Sequence, residues 1–151
     1  MIRSSLAAVG VAAAMVAPFA VPAMAGELAV QITAVRASEH GPSDAQLVDM
    51  RPRLRRLVGY RSYRVIQQEQ RRCAWGQREA FDIPGGRLLR VVPKGMRDEA
   101  VMMQIQLVQG ARALVDTDVR LQNGGVMLFG VNRDEAADPD GALIIMVRAE
   151  E

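Results

Sequence analysis

The chain of 151 residues has one cysteine, Cys73, one histidine, His40, and one lysine, Lys94. A lone cysteine cannot close an intramolecular disulfide, so the fold must hold together through its core rather than through a disulfide framework. A histidine metal cluster or a Ser-His-Asp site would rest on His40 alone, which stands in a polar loop with no second histidine or cysteine nearby. No G-x-S-x-G, H-E-x-x-H, phosphate-binding loop or G-x-G-x-x-G occurs. A strong excess of one charge is also missing: 19 Lys+Arg stand against 17 Asp+Glu. With 50% hydrophobic residues, this balance fits one globular domain and excludes a disordered tail. No internal repeat, low-complexity stretch or dividing linker interrupts it. The sequence therefore assigns no catalytic residue, no metal ligand and no cofactor.

Long apolar runs are confined to the start. Met1-Ile2-Arg3 is a short basic opening, Leu6 to Ala20 is almost wholly apolar, and Ala23-Met24-Ala25 places small residues at the -3 and -1 positions of a cleavage site. This pattern predicts a secretory signal over 1–25 and a single β-rich domain over 26–151. The alternative, an uncleaved membrane anchor, is opposed by Pro18 and Pro22 and by the shortness of the apolar stretch. Glycine rather than cysteine follows the expected cut, which argues against a lipoprotein anchor. No transmembrane segment is expected in the mature chain, and the location is read as periplasmic or secreted.

From Glu27 to Ala37, Leu28, Val30 and Ile32 alternate with Ala29, Gln31 and Thr33, the period of a half-buried strand. Ser38-Glu39-His40-Gly41-Pro42 is turn chemistry. Ser43 or Asp44 can cap a following helix with apolar positions at Leu47, Met50, Leu54, Leu57 and Val58. Pro52 either bends that helix or marks a restart with the proline in its first turn. Beyond Gly59 the sequence reads as antiparallel β structure, with strands over 61–72, 78–83, 87–92, 100–109, 112–122, 126–131 and 142–149. Turns are expected at Pro84-Gly85-Gly86, Gln109-Gly110-Ala111 and Asn123-Gly124-Gly125, the last a strong hairpin signal. The run Leu143 to Val147 is apolar at every position, which suggests a central strand covered on both faces. The expected class is α+β and β-rich: an antiparallel sheet, or a small sandwich or barrel, of about 7–8 strands with one N-terminal helix packed on it.

Among candidate sites, the stretch from Arg51 to Arg72 carries Arg51, Arg53, Arg55, Arg56, Arg61, Arg64, Arg71 and Arg72 with only Glu69 in opposition. Guanidinium forks pair with phosphates and carboxylates while aromatic rings stack on sugars. Arg53, Arg56, Arg61 and Arg64, with Tyr60, Tyr63 and Trp75, are therefore the candidate ligand-binding residues for an anionic glycan or lipid head group. The plainer reading places these arginines on solvent faces, paired with the acidic segment Asp134 to Gly141. No nucleic acid partner is expected for an exported chain of such small net charge. Asp116 and Asp118, two apart on one strand, can share a proton or a cation, or simply face solvent. The acidic segment does not have EF-hand spacing and reads as a solvated loop. Cys73 is either a small buried hydrophobe or a thiol for intermolecular pairing.

Thr117-Asp118-Val119-Arg120-Leu121, Asn123-Gly124-Gly125, Val126-Met127-Leu128-Phe129-Gly130 and Leu143-Ile144-Ile145-Met146-Val147 together resemble the closing strands of the bacterial secretin domain. The resemblance covers about a quarter of the chain, from Leu114 to Arg148, and implies an envelope-associated module. The whole chain is also similar to small uncharacterised exported proteins of Gram-negative bacteria, which implies compartment and no activity. The expected function is a non-catalytic periplasmic or secreted module that binds an envelope protein or a secretion-type assembly, with the anionic ligand as the alternative.

Overall fold

A computed structural model describes residues 27–131 and 141–151. The expected leader and all but Gly141 of the acidic segment lie outside the described residues. Eight strands occur among the described residues: β1 (Leu28–Ser38), β2 (Ser62–Cys73), β3 (Glu79–Ile83), β4 (Arg87–Arg97), β5 (Ala100–Gln109), β6 (Arg112–Gln122), β7 (Val126–Val131) and β8 (Ala142–Glu150). A short 3-10 turn at Ala45–Leu47 and one helix, α1 (Arg51–Val58), lie between β1 and β2. The strands form two antiparallel four-stranded sheets, ordered β2-β1-β8-β7 and β3-β4-β5-β6. The α+β, β-rich class is thus realised as a sandwich with a helix on one outer face.

Alternation explains the layering. Leu28, Val30, Ile32 and Ala34 of β1 and Leu143, Ile145, Val147 and Ala149 of β8 point inward. They meet Leu89 and Val91 of β4 and Val101, Met103, Ile105 and Leu107 of β5 in one core. The opposite face of the first sheet is apolar too, and Val35, Ala37 and Ile144 pack there against Leu47, Leu54 and Tyr63 in a second core. The first sheet is therefore covered twice, by the second sheet and by α1. As expected, β8 is a central strand buried on both faces; β1, expected to be half-buried, is buried on both faces in its later half because α1 covers it.

Several local expectations give way to longer-range contacts. The helix restarts at Pro52, which occupies its first turn, but neither Ser43 nor Asp44 caps it: the N-cap is Met50, with no side-chain bond. Ser43 Oγ accepts from the Tyr63 N–H at 3.1 Å and Asp44 Oδ2 from the Val65 N–H at 2.6 Å, so both residues satisfy donors on the edge strand β2. Leu57, assigned to the apolar face, is exposed. Strand β4 runs five residues past the expected end at Val92, through Pro93. The proline is tolerated because β3 stops pairing with β4 at Val91, leaving that side of β4 without a strand, and the register with β5 shifts just after it.

The Asn123-Gly124-Gly125 turn forms no hairpin. It carries the chain from one sheet to the other, and its Asn123 and Gly124 N–H groups donate at 3.1 and 2.8 Å to Glu99 O in the β4–β5 turn and to Ala149 O of β8. A hairpin without a glycine signal occurs instead at Asp98-Glu99, where Arg97 pairs with Ala100 and the two loop residues have φ of 52° and 63°. Positive φ at both central positions is the type I′ geometry that Asn-Gly and Asp-Gly favour; Asp98 tolerates it, whereas Glu99 adopts it at a cost of about 1–2 kcal/mol. Replacing Asp98-Glu99 with Asn-Gly is expected to stabilise the fold by about 1 kcal/mol, read as a higher urea midpoint with unchanged slope. The exposed Asp98–Arg120 pair at 3.8 Å, lost in the variant, contributes little. A lower midpoint would show that this loop is not strained.

Candidate binding surfaces

The arginine-rich stretch is distributed by the fold over several surfaces. Arg53, Arg55 and Arg56 are exposed on α1, which is anchored by Leu54, its one fully buried residue, and closed by Gly59 in the left-handed region at φ 68°. Arg53 donates to Val126 O at 2.9 Å, Arg56 to Pro52 O at 3.3 Å, and Arg61 lies 3.9 Å from Glu39. Arg64 is exposed near Gly41. Arg71 serves the interior: it stacks 4.6 Å over the Phe81 ring, pairs with Glu69 and Glu79, and donates to Ala80 O at 2.6 Å. The neighbouring Glu69 carboxylate holds its guanidinium pKa above the usual value.

The aromatic residues do not join those arginines in one site. Tyr60 is half-buried against the second core. Tyr63, expected beside the arginines on the surface, is fully buried in that core, because even its backbone position on β2 faces α1. Its hydroxyl makes no well-formed hydrogen bond among the described residues; desolvation raises its pKa, partly offset by the Arg55 charge and the nearby Tyr60 backbone. Trp75 lies beyond the far end of β2 and packs on the inter-sheet core.

Asp116 and Asp118 share the outer face of β6 as alternation requires, but their contacts are separate. Asp118 pairs with Lys94 at 2.9 Å, and Asp116 accepts from Gln104 at 3.3 Å. His40 is exposed, its carbonyl accepting from Ser38 Oγ at 2.9 Å. Among the described residues, no three His, Cys, Asp or Glu side chains gather as a metal site. No helix among them is long and apolar enough to cross a membrane.

A cleft that sequence reading missed opens on the outer face of the first sheet, beside the start of α1. Its volume is about 300 Å³, and Gln31, Thr33, Gln68, Met146 and Arg148 line it with Asp49. Amides, a hydroxyl and a guanidinium converge there from four separate segments, a set suited to hydrogen-bonding a small polar molecule. No contiguous motif marks it; the only sequence signal was the polar alternate positions of β1 and β2.

Searches of protein-family models, curated proteins and solved structures each return no match.

Cys73 is fully buried, and desolvation pushes its thiol up to about 11 from a reference of 9.0. The folded state therefore keeps a proton that the unfolded chain releases. The associated stability is complete below pH 9 and is lost as pH rises from about 9 to about 11. In Cys73→Ala the fall in unfolding free energy across that window should be smaller by about 2 kcal/mol; identical slopes in urea titrations would contradict the assignment. Tyr63→Phe, which removes a buried hydroxyl without a well-formed hydrogen bond, should leave thermal stability equal or raise it by up to about 1 kcal/mol. A clear loss would reveal a partner for the hydroxyl.

Proposed function

We propose that this chain is an exported, non-catalytic module that binds an envelope protein or secretion-type assembly by accepting a strand at the β6 edge. Export is supported by the leader pattern over 1–25. One observation carries the choice of edge: the inward face of β6 is open to solvent among the described residues. Val115, Thr117, Val119 and Leu121 point between the sheets, opposite Leu107, Ile105, Met103 and Val101 of β5. Their β5 partners are essentially inaccessible, whereas Val115, Val119 and Leu121 are only half-buried and Thr117 is exposed. The cause is a mismatch of length. The edge strand β6 has 11 residues, while β7, at the corresponding edge of the first sheet, has 6.

The other side of the sandwich is closed by side chains. Gln67 and Arg71 of β2 point inward and donate to the Asp82 and Ala80 carbonyls of β3. An added strand at β6 would satisfy its outward backbone groups and cover Val115, Val119, Met127 and Phe129 with alternate side chains. Main-chain bonds would supply affinity, and the apolar seam specificity.

A photoreactive residue placed at Thr117 should capture one dominant partner in the native cell envelope, at low and high salt alike, while the same residue at Asp82 on β3 should not. Equal capture from both edges, or none from Thr117, would remove the strand-edge assignment.

A further inference from the structure

The arginines of α1 are independent of the β6 edge and have no counter-charge among the described residues. Arg51, Arg53, Arg55 and Arg56 fall within eight residues, and none makes an ion pair among the described residues. Arg51 is half-buried, and its Nε has no hydrogen-bond partner among the described residues. Such a concentration of like charge on a short helix opposes helix formation, and no acidic residue stands in the first turn to offset it.

Exposed apolar side chains occur at the same place. The three exposed large hydrophobic residues among those described are Val48, Leu57 and Ile66, and the two most exposed, Val48 at 56% and Leu57 at 42%, lie before and within the arginine helix. Arg53, Arg56, Leu57 and Leu128 frame a shallow depression of about 350 Å³, where guanidinium groups and leucine side chains lie together. A soluble polyanion would engage the arginines but give Val48 and Leu57 nothing to bury against. A bilayer interface supplies phosphates for the guanidinium groups and an acyl boundary for the apolar side chains at the same depth.

We propose that α1 and the residue run leading into it dock this protein on an anionic membrane surface, with Arg53 and Arg56 at the head groups and Leu57 and Val48 at the acyl boundary. The contact is peripheral and reversible, because two aliphatic side chains and a few arginines do not make a permanent anchor. It leaves the β6 edge free, since α1 covers the outer face of the first sheet and β6 belongs to the second.

The test is co-sedimentation of the exported chain, residues 26–151, with vesicles of phosphatidylglycerol mixed into phosphatidylcholine, and with phosphatidylcholine alone. Binding should require the anionic lipid and weaken sharply between about 0.1 M and about 0.5 M salt, as the screening length shortens. Arg53→Gln/Arg56→Gln should lower the partition coefficient about 25-fold, roughly fivefold for each charge, while Arg53→Lys/Arg56→Lys should retain it. Trp75 is the only tryptophan, and it sits on the inter-sheet core beyond the end of β2. Brominated acyl chains should therefore leave the parent chain's fluorescence unchanged but quench that of Leu57→Trp. Equal binding to neutral vesicles, an unaffected glutamine variant or an unquenched Leu57→Trp would each overturn the proposal. So would binding to polyglutamate without binding to vesicles, which would point to an acidic protein instead.

Discussion

Two adjacent strands that are apolar on both faces constrain the rest of this protein. β1 and β8 lie side by side in the middle of the first sheet, and neither can leave a face in water without exposing valine, isoleucine or leucine. Two covers are therefore required. The second sheet supplies one through Leu89, Val91 and the inward residues of β5; α1 supplies the other through Leu54, with Leu47 from the turn before it. The helix itself has little intrinsic stability, being short, arginine-rich and without a side-chain cap. It is held because Leu54 fills a place that the sheet must have filled.

The same demand sets the character of the edges. On the β2 side, Asp44 and Ser43 occupy backbone donors of the edge strand, and Gln67 and Arg71 reach across to β3, so polar side chains do the work of closure. Arg71 can sit between the sheets because two carboxylates, a carbonyl and the Phe81 ring surround it. The β6 side has no equivalent bridge among the described residues. Its outer face carries Asp116, Asp118 and Arg120, which blunt uncontrolled edge pairing through charge while leaving the inward positions apolar.

How much of this was legible depended on whether the deciding contacts were local. The spans of β5, β6 and β7 followed from strict alternation and glycine turns and match the structure at both ends. The two-faced burial of β8 was readable from five consecutive apolar residues. The Asn-Gly turn misled because turn chemistry serves a hairpin or a sheet-to-sheet crossing alike, and the choice is made by distant partners, Glu99 for Asn123 and Ala149 for Gly124, of which local pattern gives no warning. Pro93 looked like a strand end because the sequence could not show that β3 would be too short to need its missing donor. The arginine cluster was visible as composition. Its division between α1, the inter-sheet bridge at Arg71 and the exposed loop residues followed from the alternation of β2, whose register slips at Ile66 between Val65 and Gln67.

That slip also explains why Tyr63 and Val65 face the helix while Gln67, Glu69 and Arg71 face the second sheet. One extra residue reverses the side-chain phase and lets a single strand contribute apolar groups to the second core and polar groups to the sandwich edge. Packing thus consumes Tyr63 and Trp75, which composition alone had grouped with possible ligand contacts. What packing leaves unused is more informative about function than what it employs. Among the described residues nothing covers the inward face of β6 or neutralises the arginines of α1, and both are retained at a cost to stability. A chain selected only to fold would cover the first and neutralise the second.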